Sequence, residues 1–280
     1  METTFGTSKS ILVPTDFSDS CKNAILHAIE LSKPFKGKVY ILHVSESNSP
    51  DEATSMYAAL EKIDELIDTL DYEFIEPIVK AGDIFTTINE VALAKQADLI
   101  ILGTHGKKGI QKIFGSYALK VIDSTKMPVI VVQEKSIPCL PKAIVFPVDS
   151  EEEDRQKTSY AIQLAKIYKS KIYIFQKAEK IAANKFKAIN TLRQIQAFMS
   201  QNGVQAEVME NDDTETDFPK LVINYSASIK ADMILIMSDA SSHFPIIGAK
   251  EEDFLFNSAN IPVMCVTEKR YKSVRFSVTG

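Results

Sequence analysis

Two clusters of residues in this 280-residue chain have the types and spacing to handle a phosphorylated ligand. One is Gly103-Thr104-His105-Gly106-Lys107-Lys108-Gly109, followed by Gly115-Ser116. Its glycines permit positive φ and close backbone approach, and successive amides in such a loop can form an anion-binding nest. A helix opening near Gly115-Ser116 would add unpaired N–H groups, the positive end of a dipole and a hydroxyl. The other cluster is Pro14-Thr15-Asp16-Phe17, directly after an apolar run. The bland reading of the glycines is a plain turn joining strand to helix, and spacing alone does not choose between the two.

The elements that must position these clusters occur twice. Ile11-Leu12-Val13-Pro14-Thr15-Asp16 is answered by Ile144-Val145-Phe146-Pro147-Val148-Asp149, which puts Asp16 and Asp149 133 positions apart. Ala97-Asp98-Leu99-Ile100 is answered by Ala231-Asp232-Met233-Ile234, and Met127-Pro128-Val129 by Ile261-Pro262-Val263, both at an offset of 134. Three collinear matches at a nearly constant offset identify a tandem duplication. Within the first copy, apolar runs at about 10–14, 38–45, 73–80, 98–104 and 128–133 alternate with helical patterns at about 18–34, 51–70, 84–96 and 115–125. Ser18 is a candidate N-cap for the first helix. The second copy repeats the order at about 143–148, 171–177, 204–210, 232–238 and 262–267.

Such alternation predicts two α/β units, each a doubly wound parallel five-stranded sheet covered by helices on both faces. The expected division is residues 1–134 and 142–270, with a proline-containing linker at 135–141 and a tail at 271–280. In open sheets of this kind ligands bind beyond the carboxyl ends of the strands, where the strand order reverses. Both clusters are predicted to lie there.

The stretch Gly103 to Val132 resembles the nucleotide-binding segment of the universal stress protein family, whose motif is G-x2-G-x9-G-(S/T) followed by a helix and a PV-V strand. The opening ILVPTDFSDSCKNAILHAIELSK and the strand end Leu42-His43-Val44 are similar to the family as well. The resemblance spans the first copy and, more weakly, the second. It implies a Rossmann-like sheet of order 3-2-1-4-5, which would set the first and fourth strands side by side. It also implies an ATP site formed by Pro14, Thr15, Asp16, Val44, Leu102, Gly103, Gly106, Gly115, Ser116 and Tyr117, with magnesium accompanying the nucleotide. Adenine and ribose would lie near Asp16, Thr15 and Val44, and phosphates near Gly106, Gly115, Ser116 and Tyr117.

The chain departs from that pattern in two places. Only eight residues separate Gly106 from Gly115. In the second copy Met237-Ser238-Asp239-Ala240 stands where the first has Gly103-Thr104-His105-Gly106, and Gly248 is followed by Ala249 rather than serine. Added Cβ atoms and a carboxylate argue against phosphate there, so the second copy is expected to be structural.

Composition bounds the alternatives. The formal net charge of −5 supplies no basic footprint for nucleic acid. No apolar run approaches the roughly 18–20 residues that span a bilayer, and Met1 to Lys9 has no signal-peptide character. Cys21, Cys139 and Cys265 are widely spaced and odd in number, against a disulfide framework or a zinc site. These features predict a cytoplasmic protein. His43 and His105 have no acid or nucleophile partner in the sequence, the signature motifs of PP-loop ATPases and adenylyltransferases are absent, and no general base can be named. At most, slow ATP hydrolysis is left open. The function classes are therefore a nucleotide-binding regulator of the stress response or an interaction scaffold that binds no nucleotide. The apolar final strands of the two copies would be bare edges unless paired, which predicts an intramolecular pseudo-dimer. Homodimers of whole chains are a further expectation.

Overall fold

The computed structural model describes residues 10–45, 52–104, 113–125, 127–148, 154–238 and 249–267. In the first half, strands β1 (Ile11–Pro14), β2 (Val39–Ser45), β3 (Ile75–Ala81), β4 (Leu99–Thr104) and β5 (Val129–Gln133) alternate with helices α1 (Asp19–Ser32), α2 (Glu52–Ile67), α3 (Ile84–Ala94) and α4 (Ile113–Ser124). The second half repeats this with β6 (Ala143–Val148), β7 (Lys171–Gln176), β8 (Ala206–Met209), β9 (Met233–Ser238) and β10 (Val263–Thr267). Its helices are α5 (Asp154–Tyr168), α6 (Ala182–Gln201), α7 (Phe218–Ser228) and α8 (Ala249–Leu255).

All ten strands form one sheet, in the order β3-β2-β1-β4-β5-β10-β9-β6-β7-β8. Each half is the parallel 3-2-1-4-5 arrangement. The seam between them is antiparallel: Ile130 stands opposite Met264, Val131 opposite Val263 and Val129 opposite Cys265. Ile130 and Met264 are themselves 134 positions apart, so shifting the register by the repeat length returns the same three pairs. The duplication is thus a two-fold centred on the Ile130–Met264 pair, and both residues are fully buried. One apolar core covers each face of the sheet and runs across both halves, the first including Ile25, Ile63 and Ile195, the second Ile88, Ile122 and Val222.

The repeated aspartates act at the amino ends of the strands. The Asp98 carboxylate accepts the Ser10 N–H at 3.0 Å, and the Asp232 carboxylate accepts the N–H groups of Lys142 and Ala143 at 2.9 and 2.8 Å. In each half this ties the start of the fourth strand to the start of the first, satisfying backbone donors that the ladder leaves open. Between β5 and β6 the chain is pinned on both sides. Asn23 on α1 donates to the Gln133 and Ser136 carbonyls, each at 2.8 Å, while the Ser136 hydroxyl donates to Asn260 O at 2.7 Å and Gln133 Nε2 to Asn257 O at 2.8 Å. No helix of the described residues is long and apolar enough to cross a membrane.

His27, on the buried side of α1 against this connection, sets a pH dependence. Burial pushes its imidazole down to about 4, against the opposing pull of a hydrogen bond with the Ser136 backbone and of the Glu30 charge. The folded protein therefore keeps His27 neutral while the unfolded chain protonates it near pH 6.5. Stability is lost as pH falls from about 6.5 to about 4, by on the order of 3 kcal/mol from this group alone. Urea unfolding at intervals across that range is expected to show the loss, and His27→Gln is expected to lessen it relative to wild type by about one proton's slope.

Candidate functional site

The carboxyl ends of β1 and β4 are neighbours at the point where the strand order reverses. Ile11 pairs with Leu99 and Leu12 with Ile100. Continued along the strands, that register brings Pro14 and Thr15 level with Leu102 and Gly103. The chain leaves β1 through a tight bend built from its own side chains. Thr15 N–H donates to Leu42 O at 2.8 Å, the Thr15 hydroxyl accepts the Phe17 N–H at 3.0 Å, and the Asp16 carboxylate accepts the Ser18 N–H at 2.9 Å. Phe17 turns with φ of 67°, a left-handed conformation uncommon for a bulky residue. Its ring lies 4.8 Å from that of His43, whose Nδ1 is 2.9 Å from Thr15 O. His43 thus braces the bend. Ser18 then caps α1, its side chain accepting from Cys21 N.

Asp16 is exposed at this crevice. Burial alone would raise its pKa, but hydrogen bonds from the Ser18 hydroxyl and amide and from Cys21 outweigh it and hold the carboxyl below its ordinary value. The neighbouring Cys21 thiol is buried, and desolvation followed by the Asp16 charge pushes it up to about 12. It is a packing residue rather than a nucleophile.

Gly103 has a reason to be glycine that spacing did not reveal. A Cβ at this position would sit 2.2 Å from Ser20 O and 2.6 Å from Cys21 N, inside the backbone of α1's opening turn. The close approach is therefore of strand to helix, and it brings the helix start carrying Asp16 and Ser18 against the end of β4. In the second half the equivalent position is Met237, half-buried against the core.

The remaining expected site residues divide by position. Leu102 is buried in the core below the crevice, so only its backbone could face a ligand, and Val44 is half-buried near the end of β2. Gly106 lies outside the described residues, as do His105, Lys107, Lys108 and Lys112, and in the second half Asp149, Asp239, Ala240 and Gly248. Gly115, Ser116 and Tyr117 are all within α4, which already includes Ile113 and Phe114 ahead of the Gly115-Ser116 start expected. The apolar Ile113-Phe114 pair extends the helix backwards.

Two residues at the carboxyl ends of the strands escaped sequence reasoning. Asn23 ties α1 to the chain leaving β5, as described above. Its counterpart one repeat on is Lys157, almost fully buried on α5, whose ammonium donates to Pro147 O and lies 4.7 Å from the centre of the Phe146 ring. Comparing the copies at the offset of 134 would have paired Asn23 with Lys157. Among the described residues there is no group of three or more His, Cys, Asp or Glu placed to hold a metal ion.

A twice-built, doubly wound α/β sheet with an acidic residue and a glycine near the strand reversal defines a class of Rossmann-like proteins. The chain belongs to the universal stress protein family. The family pattern matches residues 7–133. A universal stress protein of Methanocaldococcus jannaschii is 33% identical over 141 residues, covering 45% of this chain and 82% of the relative. Universal stress protein A homolog 2 of Coxiella burnetii is 29% identical over 140 residues, covering 45% of this chain and 96% of that protein. Across both halves the fold is similar to the crystal structure of a universal stress protein from Archaeoglobus fulgidus, with a TM-score of 0.71 at 19% identity, covering 94% of this chain and 99% of that one.

The Gly103 contact makes a test that needs no ligand. Gly103→Ala is expected to destabilise the unliganded protein by about 1–3 kcal/mol through overpacking against α1. Met237→Ala, as a control, should show the milder cost of trimming a half-buried side chain. Thermal unfolding of both variants in nucleotide-free buffer checks this.

Proposed function

We propose that this universal stress protein is a nucleotide-binding regulator that takes ATP or a related adenine nucleotide in the crevice between β1 and β4 of its first half, residues 1–134. The observation that carries the reading is the exposed Asp16 carboxylate at the strand reversal, held ionised by its own bend and level with the glycine end of β4. A carboxylate there accepts hydrogen bonds from ribose hydroxyls, which is the role the proposal gives to Asp16. Thr15 and Val44 flank the base, with Pro14 and Leu102 forming the floor. Gly106, Gly115, Ser116 and Tyr117 receive the phosphates through amides and hydroxyls near the start of α4. Magnesium belongs to this reading only as a counter-ion of the phosphates. The second half, residues 142–270, completes the sheet and takes no nucleotide.

A second reading is an interaction scaffold without a nucleotide. It is favoured by the finding that Gly103 is already accounted for by contact with α1.

Calorimetric titration with ATP separates the two. One saturable site per chain is expected in the wild type. Asp16→Ala and Gly106→Val should each weaken binding by about tenfold or more, equivalent to about 1.4 kcal/mol, whereas Asp149→Ala should leave it unchanged. Binding that survives both first-half substitutions removes this site, and no binding at millimolar ATP establishes the scaffold.

A further inference from the structure

The two helices at the ends of the ten-stranded sheet occupy equivalent places in the duplication and carry opposite charge. α2 packs over the β2–β3 end and α6 over the β7–β8 end, both on the face of the core that contains Ile63 and Ile195. On α2 and the turn that follows it, Tyr57, Glu61, Asp64 and Asp68 follow one another at helical spacing along a single exposed stripe, with Glu65 beside it. From Glu61 to Glu73 the only basic residue is Lys62, and its ammonium is engaged over the Phe17 ring at 5.5 Å. α6 has no acidic residue at all between Ala182 and Gln201. Its exposed surface carries Phe186 and Arg193 on one stripe and Lys187 and Phe198 on the next. Tyr57 is 76% exposed and Phe186 69%, so each face sets a large uncovered aromatic ring among charges of one sign. Among the described residues, no ion pair neutralises Glu61, Asp64 or Asp68, and none neutralises Lys187 or Arg193.

We infer that α2 of one copy docks against α6 of the next, so that whole chains associate head to tail. Charge complementarity selects a second copy as the occupant, since each molecule presents both the acidic and the basic face. Burying Tyr57 against the apolar part of α6 would add the contact area that surface charges alone lack. The strand directions suit the arrangement. The halves run antiparallel across the seam, and each helix runs against its own strands, so a copy displaced along the sheet sets α2 and α6 side by side and antiparallel. Direct strand addition is poorly served at these ends, because β3 contains Pro77 and β8 is only four residues long. The two faces differ, so the contact is heterologous and propagates with concentration rather than closing as a two-fold dimer.

Sedimentation of the full chain over a concentration series tests this. At about 100 mM salt the weight-average mass should rise with concentration past that of two chains. At about 1 M salt, where the Debye length falls from about 10 Å to about 3 Å, association should weaken at least about tenfold. The double substitution Asp64→Lys, Asp68→Lys and the double substitution Lys187→Glu, Arg193→Glu should each leave single chains, with circular dichroism unchanged. Mixing the two should restore association, because each then offers the charge the other has lost. A mass of one chain at every concentration, association indifferent to salt, or doubly substituted proteins that associate as the wild type does would each overturn the inference.

Discussion

The antiparallel pairing of β5 with β10 is the interaction on which the rest of this structure depends. Each half of the chain ends in a strand whose residues are apolar on both faces, which a parallel sheet requires but a free edge does not tolerate. Placing the two edges against each other removes both liabilities at once and makes the two cores continuous across the seam. The register repeats itself under the 134-residue offset, with Ile130 facing Met264. The chain between the strands is held to match, by Asn23 from one side and by Asn257 and Asn260 from the other.

Fixing the seam leaves the outer parts of each half free to diverge, and they have done so where ligands bind in such sheets. In the first half, β4 comes close enough to α1 to demand Gly103, and Asp16 stands charged at the mouth of the crevice. In the second, Met237 takes the place of that glycine, and Lys157, at Asn23's place in the repeat, puts an ammonium under the end of β6, whereas Asn23 makes neutral hydrogen bonds to the chain leaving β5. The Lys157 charge is stabilised in part by the Pro147 carbonyl and by the Phe146 ring. These are changes of packing as well as of ligand chemistry, so loss of the glycine motif in the second half does not by itself record the loss of a ligand.

Much of this was legible in the sequence, for a physical reason. Buried parallel strands read as uninterrupted apolar runs, and the helices between them read by period, so ten strands and their alternation could be set out from composition and spacing alone. The aspartates of the Ala-Asp pairs marked the repeat, although their work, clamping the first strand's amino end, became visible only once Ser10 and Ala143 were seen beside them. Contacts that join distant segments were the least legible. Nothing local to Gly103 says that Ser20 lies 2.2 Å from its missing Cβ. Likewise nothing local to Asn23 says that it holds the carbonyls of Gln133 and Ser136, more than a hundred residues away. Gly115-Ser116 has good start chemistry, yet α4 already includes Ile113 and Phe114, which have no capping group to announce them.

Glycine in a nucleotide-binding fold is ambiguous between two demands, and the duplication helps separate them. The second half carries Met237 at that position, half-buried against the core, whereas in the first a Cβ would meet the backbone of α1. Strand-to-helix packing therefore accounts for the glycine at the end of β4. The case for a ligand rests on groups that packing does not require, chief among them Asp16. Its side chain caps the Ser18 amide, a task that serine or asparagine could also perform without a charge. Yet it remains exposed and ionised beside the point where the strand order of the first half reverses.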